Sequence, residues 1–302
     1  MNKEDRYHIP VLFEESLEGL SIKPDGIYVD VTFGGGGHAK EIYNRLSDSG
    51  KLIAFDQDPD AKKNAWIAQN FHFVDANFSY LKNHLKLLGI TQVDGILADL
   101  GVSSHQFNKA DRGFSIRFDS RLDMRMSQVD LSAWEVVNEY EEEQLANIFY
   151  RYGELRNSRK IASVLVMNRA KKTIDTTFEL IHILRPLVGK HKENKFFAQV
   201  FQALRIEVNK ELEVLEEFLL QAEKVLSPNG RLVVISYHSL EDRLVKNFIK
   251  KGNIAGVVQK DFYGNVLKPF DEVVRNPLMA SEEELAQNPR SRSAKLRIAI
   301  KR

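Results

Sequence analysis

Residues 26–46 read GIYVDVTFGGGGHAKEIYNRL and pass from an apolar run through four consecutive glycines to an amphipathic segment. Ile27, Val29 and Val31 alternate as in a buried strand, and the segment after His38 has the spacing of a helix. Glycines lack a Cβ, so they let the chain turn sharply and let a ligand approach the backbone. A strand, a glycine turn and a helix N-terminus together predict a site for a nucleotide-like ligand.

The same alternation continues through the first hundred residues and then stops. Strand patterns occupy 27–31, 51–55, 71–74 and 93–98, and helix patterns lie around 38–47, 59–69 and 78–88. Helical spacing then covers about 130 to 220, and later patterns predict a helix at 239–250 and strands at 231–236, 257–262 and 295–300. We therefore predict an α/β, Rossmann-like doubly wound sheet interrupted by an all-helical insert. The predicted domains are 1–106 with 206–302, and the insert 107–205.

The composition is that of an ordinary globular chain, but its charge is unevenly distributed. The 302 residues carry a net charge of only +1, whereas residues 151–210 hold 13 Lys/Arg against 5 Asp/Glu. Arg290 to Arg302 hold six Lys/Arg and no acid. This segregation is typical of a protein that meets a polyanion on one face, or of solvated helix faces. A charged N-terminus and the absence of long apolar runs predict a cytoplasmic protein.

Polar residues follow five predicted strands, where open α/β sheets bind their ligands. The first of them at each strand end are Asp30, Asp56, Asp75, Asp99 and Ser236. Any one of these residues has an alternative role as a helix cap. Five such strand ends on one sheet edge predict a binding site there.

Two residues on this edge suit a nucleoside. Asp56 lies 19 residues after Gly37, where an acid can accept both ribose hydroxyls. Phe78 is placed to cover an adenine, or else to join the core. Gly34-x-Gly36-x-x-Ala39 also satisfies the dinucleotide fingerprint, so NAD and S-adenosylmethionine both remain possible at this point.

The fourth strand ends in Asp99-Leu100-Gly101-Val102, where amino-methyltransferases place an acid or amide followed by two prolines and an aromatic residue. A side-chain oxygen and a backbone carbonyl there accept hydrogen bonds from an exocyclic amine and position it for methyl transfer. Asp99 and the Leu100 carbonyl suit these two roles. The prolines and the aromatic residue are missing, so another element must stack the base.

The chain contains no cysteine. This excludes disulfides and thiolate metal sites, and it excludes the cysteine adduct through which C5 of a pyrimidine is usually methylated. Transfer to an exocyclic nitrogen or a hydroxyl needs no such adduct. The spacing of His38, His105 and His238 suggests no metal-ligand set, so no metal-binding residue is predicted and the metal requirement is left open.

Several longer motifs resemble those of one bacterial family, the ribosomal RNA small subunit methyltransferase H or MraW family. They are Tyr7-His8-Ile9-Pro10-Val11-Leu12, Thr32 to His38, Asp99 to Ser104, Arg112-Gly113-Phe114-Ser115, Leu122 to Met126, Phe201 to Asn209, His238 to Arg243 and Asn288 to Arg297. Together they extend from residue 7 to about residue 297. Two departures are Gly35, where relatives often carry a longer side chain, and His105, where some carry proline.

The resemblance implies a class I methyltransferase that uses S-adenosylmethionine to methylate the N4 amine of a cytidine in small-subunit ribosomal RNA. It implies a cofactor-binding domain, an inserted substrate-recognition domain, and an assembled 30S subunit as substrate. The oligomeric state, monomer or homodimer, is left open. The cofactor contacts that it implies are Gly36, Gly37, His38, Asp56, Phe78, Asp99 and Gln106. We add Gly35 of the same glycine turn as a predicted contact.

Catalytic and RNA-binding residues can be proposed from the same motifs. Asp99 and His238 are the predicted catalytic residues, with an internal hydrogen bond as the alternative role for His238; Ser239 to Asp242 have the pattern of a helix cap. The predicted RNA contacts are Arg112, Arg125, Arg205, Asn209, Arg290 and Arg292, the last two along the final strand region. Two other functions remain open: an NAD(P)-dependent oxidoreductase, and a non-catalytic RNA-binding protein of ribosome assembly.

Overall fold

The computed structural model describes residues 10–127 and 131–302. Tyr7, His8 and Ile9 of the first family motif lie outside the described residues. The chain divides into two compact units, of which unit 1 comprises Met1–Gly101 with Leu212–Arg302 and unit 2 comprises Val102–Glu211. Two roles stay predictions: cofactor binding by residues 1–106 with 206–302, and substrate recognition by residues 107–205.

Unit 1 is built around a seven-stranded sheet. Its strands are β1 (Ile27–Asp30), β2 (Lys51–Asp56), β3 (Phe71–Asp75), β4 (Val93–Asp99), β5 (Leu226–Ser236), β6 (Phe270–Glu272) and β7 (Lys295–Lys301). They lie in the order β3-β2-β1-β4-β5-β7-β6. The first five strands are parallel, whereas β7 runs antiparallel to β5 and β6. The winding direction reverses between β1 and β4, which is where such sheets bind ligands.

Apolar residues of successive strands alternate between the two faces of the sheet. Val29 and Ile53 belong to one core cluster, and Tyr28 and Leu52 belong to another. Because both faces are covered, the predicted Rossmann-like, doubly wound fold is confirmed.

The helices in the described residues are α1 (Phe13–Leu20), α2 (Gly37–Asn44), α3 (Leu81–Leu87), α4 (Ser104–Asn108), α5 (Ala133–Glu139), α6 (Glu142–Arg151), α7 (Ser158–Arg169), α8 (Thr177–Leu184), α9 (Glu193–Asn209), α10 (Glu211–Val225), α11 (Ser239–Lys251) and α12 (Glu282–Gln287).

Strand register aligns the acidic strand ends. Asp30 pairs with Ala54 of β2 and with Leu97 of β4, so Asp56 and Asp99 each lie two residues beyond it. Side chains two residues apart on a strand point to the same face. The carboxyl edge of the sheet therefore carries three aspartates on adjacent strands.

Unit 2 is helical, as predicted for the insert. Its helices α5 to α9 enclose a core of their own, formed by side chains such as Leu122, Leu145, Phe149, Ile161 and Leu204. Capping boxes at Ser132 and Thr176 begin α5 and α8, as their spacing predicts.

Two element predictions were wrong. The helix predicted at 59–69 is a short 3-10 helix, Ala61–Asn64, because the following chain turns back to stack Trp66 on Phe71 with ring centroids 3.9 Å apart. The strand predicted at 257–262 pairs with no strand among the described residues and forms an isolated bridge between Lys260 and Val266. The strand that completes the seven-stranded sheet is instead β6, Phe270–Glu272.

No helix in the described part of the chain is long and apolar enough to cross a membrane.

Candidate active site

The glycine turn connects β1 to α2 and leaves one side of the backbone open. Gly36 adopts φ +77°, and a Cβ at this position would lie 2.9 Å from the ring of Phe33. A Cβ at Gly37 would lie 2.5 Å from Cγ of Pro10. A Cβ at Gly35 would meet no described atom within 4 Å. Packing thus requires glycine at 36 and 37, whereas the open side at Gly35 is accessible to a ligand.

Asp56 connects the end of β2 to this turn. Its Oδ2 accepts a 2.7 Å hydrogen bond from the Gly34 amide, and its Oδ1 accepts a 2.8 Å bond from the Asp58 amide. Burial raises the pKa of Asp56, and the bonds from the two amides oppose the shift. Each carboxylate oxygen can accept more than one hydrogen bond, so Asp56 retains capacity for ribose hydroxyls.

Asp99 is held by two neighbours at the end of β4. Its Oδ1 accepts a 2.8 Å hydrogen bond from the Tyr237 hydroxyl, and its backbone amide donates a 2.7 Å bond to Thr32 Oγ1. Burial raises the pKa of Asp99 to about 7; Tyr237 opposes the shift, and the charges of Asp30 and Glu241 add to it. Asp99 is therefore poised to change protonation state near neutral pH.

The neighbouring strand β1 carries a fully buried carboxylate. Asp30 is 1% exposed, and its Oδ1 accepts a 3.0 Å hydrogen bond from the Thr32 amide. Burial raises the pKa of Asp30 to about 7, and the charge of Asp56 contributes to the rise. Asp30, Asp56 and Asp99 thus form an acidic strand edge whose negative potential favours a cationic ligand group over a pyrophosphate.

His38 lies in the first turn of α2, and its Nδ1 is 4.0 Å from Asp99 Oδ2. Burial lowers the pKa of His38 to about 4, and a hydrogen bond to the backbone of Val11 opposes the shift. The imidazole is therefore neutral near pH 7. Its Nε2 is buried and has no hydrogen-bond partner among residues 10–127 and 131–302.

His238 occupies the N-cap position of α11. Its Nδ1 accepts a 3.4 Å bond from the Glu241 amide, and its Nε2 lies 3.2 Å from Glu241 Oε1. Glu241 Oε2 in turn accepts a 2.8 Å bond from the Tyr237 amide. The cap is thus formed by His238 with Glu241, and not by Ser239 with Asp242 as predicted. A catalytic role for His238 stays a prediction, and the contacts seen here position the turn that carries Tyr237.

Phe78 begins a 3-10 helix after β3 and packs edge-on against Phe218, with ring centroids 5.4 Å apart. It is partly buried, so one side of the ring joins the core of unit 1.

Gln106 belongs to unit 2. Its Oε1 accepts a 2.9 Å bond from the Ser103 amide and closes a capping box on α4. Cofactor contacts by these two residues stay predictions.

Four of the predicted RNA contacts have partners inside unit 2. Arg112 donates a 2.8 Å bond to the Arg125 carbonyl. Arg125 forms a bidentate pair with Asp123, and Arg205 forms one with Glu211. The bonds of these arginines hold the segment 112–126 and the end of α9 in place.

Asn209 also forms its hydrogen bonds with groups of unit 2. It accepts a 2.7 Å bond from the Met126 amide and donates a 2.8 Å bond to the Met124 carbonyl. These contacts give Arg112, Arg125, Arg205 and Asn209 structural roles, while contact with RNA stays a prediction.

The C-terminal arginines are arranged differently from the prediction. Arg290 and Arg292 lie on the 3-10 helix Pro289–Ser293, before β7, and therefore do not alternate along a strand. Within β7, Arg297 is buried and donates a 2.7 Å hydrogen bond to Asp242. Arg297 thus stabilises the sheet–helix packing of unit 1.

Sequence reasoning missed two residues of the site, Thr32 and Tyr237. Asp99 pairs in register with Ile235 of β5, so Tyr237 lies two residues further along, on the same side as Asp99. Tyr237 also lies beside Gly101, where a Cβ would be 3.7 Å from its Cδ2. Register between β4 and β5 is the signal that identifies Tyr237, and it depends on knowing that the two strands are neighbours.

Comparison with known proteins places these residues in a family context. The model of the MraW methylase family matches residues 5–302. Over 296 residues the chain is 58% identical to the ribosomal RNA small subunit methyltransferase H of Christiangramia forsetii, covering 98% of each chain. The protein of the same name from Bacteroides fragilis is 56% identical over 301 residues, covering 99% of each chain. That from Flavobacterium johnsoniae is 55% identical over 296 residues, covering 98% of each chain.

Proposed function

The chain belongs to the MraW methylase family, and on that premise we propose that it uses S-adenosylmethionine to methylate the N4 amine of a cytidine in small-subunit ribosomal RNA. The observation that carries the proposal is the full-length identity to relatives named as ribosomal RNA small subunit methyltransferases H. The arrangement around Asp99 supports the choice of an amine as acceptor.

The residues of the sheet edge fit S-adenosylmethionine. Asp56 would hold the ribose hydroxyls, Phe78 would face the adenine, and the open side of the turn at Gly35 would accept the methionine end. When bound, S-adenosylmethionine supplies an electrophilic methyl group on a positively charged sulfur. In their ionised forms, Asp30 and Asp99 would favour that charge and disfavour the pyrophosphate of NAD, which argues against the oxidoreductase alternative.

In this proposal Asp99 orients the cytidine amine and accepts its proton. Its Oδ2 accepts a hydrogen bond from the cytidine amine and orients the nitrogen lone pair. Forming the bond between the amine nitrogen and the methyl carbon would break the sulfur–methyl bond of the donor and release a neutral thioether. The nitrogen would then lose a proton, and the Asp99 carboxylate would take it. A pKa near 7 suits a group that accepts this proton and then releases it to water. Tyr237 keeps the carboxylate in place throughout.

The proposed substrate is RNA of the small ribosomal subunit. We propose the assembled 30S subunit rather than free RNA, and an enzyme that therefore works in the cytoplasm. The target cytidine must leave its stack to reach Asp99, as for other enzymes that modify a base. The protein acts as a monomer or a homodimer, and both states are compatible with the site in unit 1.

Mass spectrometry of small-subunit RNA tests the function. Deleting the gene should remove one N4-methylated cytidine, and the purified protein with S-adenosylmethionine should restore it on subunits from the deletion strain. An Asp99→Ala protein should not restore it. An unchanged methylation pattern in the deletion strain would instead favour the non-catalytic RNA-binding alternative.

A further inference from the structure

Unit 2 carries a group of cations that differ from the predicted RNA contacts. The cationic surface, as we define it, consists of Arg156, Arg159, Lys160, Lys192 and Lys195. All five side chains are exposed. Within the described ranges, no ion pair or side-chain hydrogen bond engages them. Arg112, Arg125 and Arg205, by contrast, all bond to groups of unit 2 itself.

The members of the cationic surface come from two segments that contact each other. Gln199 of α9 donates a 2.9 Å hydrogen bond to the Gly153 carbonyl in the turn between α6 and α7. Gln202 donates a 2.8 Å bond to the Tyr152 carbonyl of the same turn. Lys195 lies one helical turn before Gln199 on the same face of α9, so it faces the turn that leads to Arg156.

The charges of this surface are unfavourable in the isolated protein. Arg159 and Lys160 lie in the first turn of α7, which contains no acidic residue. Cations at a helix N-terminus are repelled by the helix dipole, and neighbouring cations repel one another. Glu154 is the single acid between residues 152 and 160. Folding alone therefore does not account for this concentration of charge, whereas a polyanionic partner does.

We propose that the cationic surface binds the sugar–phosphate backbone of small-subunit ribosomal RNA; this inference rests on the proposed function. Guanidinium and ammonium groups donate hydrogen bonds to phosphate oxygens, and such bonds orient the RNA without reading its sequence. Each neutralised phosphate releases a condensed counterion, so binding must weaken steeply with salt.

The test compares two full-length variants with equal loss of charge. One is R156Q/R159Q/K160Q/K195Q. The matched control, K82Q/K86Q/K171Q/K224Q, replaces four cations that are also exposed. Binding to small-subunit RNA and to assembled subunits is measured by fluorescence anisotropy across a series of salt concentrations. Calorimetry with S-adenosylmethionine and thermal melting verify that unit 1 and the fold are intact.

We expect the first variant to bind RNA at least about tenfold more weakly at physiological salt. The slope of log affinity against log salt should become shallower by roughly one for each phosphate that is no longer bound. The control should bind like the wild type. Wild-type affinity and slope in the first variant, or an equal weakening in the control, would overturn the proposal. Weaker binding to assembled subunits alone would point to a ribosomal protein and would also overturn it. Because binding is measured without methyl transfer, an inactive wild type would count against the proposed function alone.

Discussion

The Tyr237 hydroxyl donates a 2.8 Å hydrogen bond to Oδ1 of Asp99, which joins the end of β5 to the end of β4. The bond stabilises the ionised carboxylate, while burial and the charges of Asp30 and Glu241 destabilise it. The balance leaves the pKa of Asp99 at about 7. Burial and the neighbouring Asp99 raise the pKa of Tyr237 well above its usual range, so Tyr237 acts as a donor only.

Removing the charge of Asp99 should abolish most activity without unfolding the protein. Asp99→Asn keeps the shape and one acceptor but cannot take a proton, so kcat should fall about 10²- to 10⁴-fold. Since burial disfavours the ionised carboxylate, the neutral amide should not lower the melting temperature. Steady-state kinetics and thermal melting measure both effects, with Asp48→Asn in the exposed loop before β2 as the control. Full activity with a wild-type melting curve would exclude the assigned role of Asp99.

Removing the Tyr237 hydroxyl should shift the pH dependence of methyl transfer. The reaction needs ionised Asp99, so kcat should rise with pH through the pKa near 7. Tyr237 lowers that pKa, and Tyr237→Phe should therefore move the rising limb to higher pH, with a larger decrease in rate below the pKa than well above it. Tyr80→Phe, an exposed tyrosine, is the control. An unshifted limb would mean that Asp99 does not govern the profile.

Replacing Asp56 should weaken cofactor binding. Asp56→Ala removes the acceptor of ribose hydroxyls and also frees the Gly34 amide, so affinity for S-adenosylmethionine should fall by about 1.5–3 kcal/mol. Isothermal calorimetry measures the change. Asp60→Ala, on the same loop but with its carboxylate paired to Lys63, should bind the cofactor normally. Equal affinities for Asp56→Ala and the wild type would refute the ribose contact.

The glycines of the turn should differ in their tolerance of a methyl group. Gly37→Ala would bring a Cβ to 2.5 Å from Pro10, and Gly36→Ala would place alanine at φ +77°, so each should lower the free energy of unfolding by about 1–3 kcal/mol. Gly35→Ala meets no described atom within 4 Å and should leave stability unchanged. Denaturant unfolding compares the three variants. Equal destabilisation in all three would contradict the open side at Gly35.

The strongest local patterns predicted elements correctly. The alternation at Ile27, Val29 and Val31 and the glycines after them predicted β1 and the start of α2, because a buried strand and a turn with positive φ are specified by residue type. The helix expected at 59–69 failed, since packing of Trp66 against Phe71 outweighs the local helical spacing. The strand expected at 257–262 failed because strand formation requires a neighbouring strand.

For the site, residue type and position along the chain were sufficient to select Asp56 and Asp99, because the carboxyl ends of parallel strands meet at one edge. Sequence alone also determined the family, through motifs distributed over nearly the whole chain. It left each arginine's partner open. The structure shows that Arg125 and Arg205 pair with carboxylates of unit 2, whereas Arg156 and Arg159 face solvent.

The sequence by itself therefore determined the fold class, the family and the acidic strand ends, since these depend on local periodicity and on residue identity. Only the tertiary structure decided which groups shift the pKa values of those acids. The hydrogen bond from Tyr237 to Asp99 joins residues 138 positions apart, and the register of β4 against β5 brings them together. The burial of Asp30 and the partial burial of Asp99 are likewise properties of the packed sheet, and they raise the pKa values of both groups to about 7.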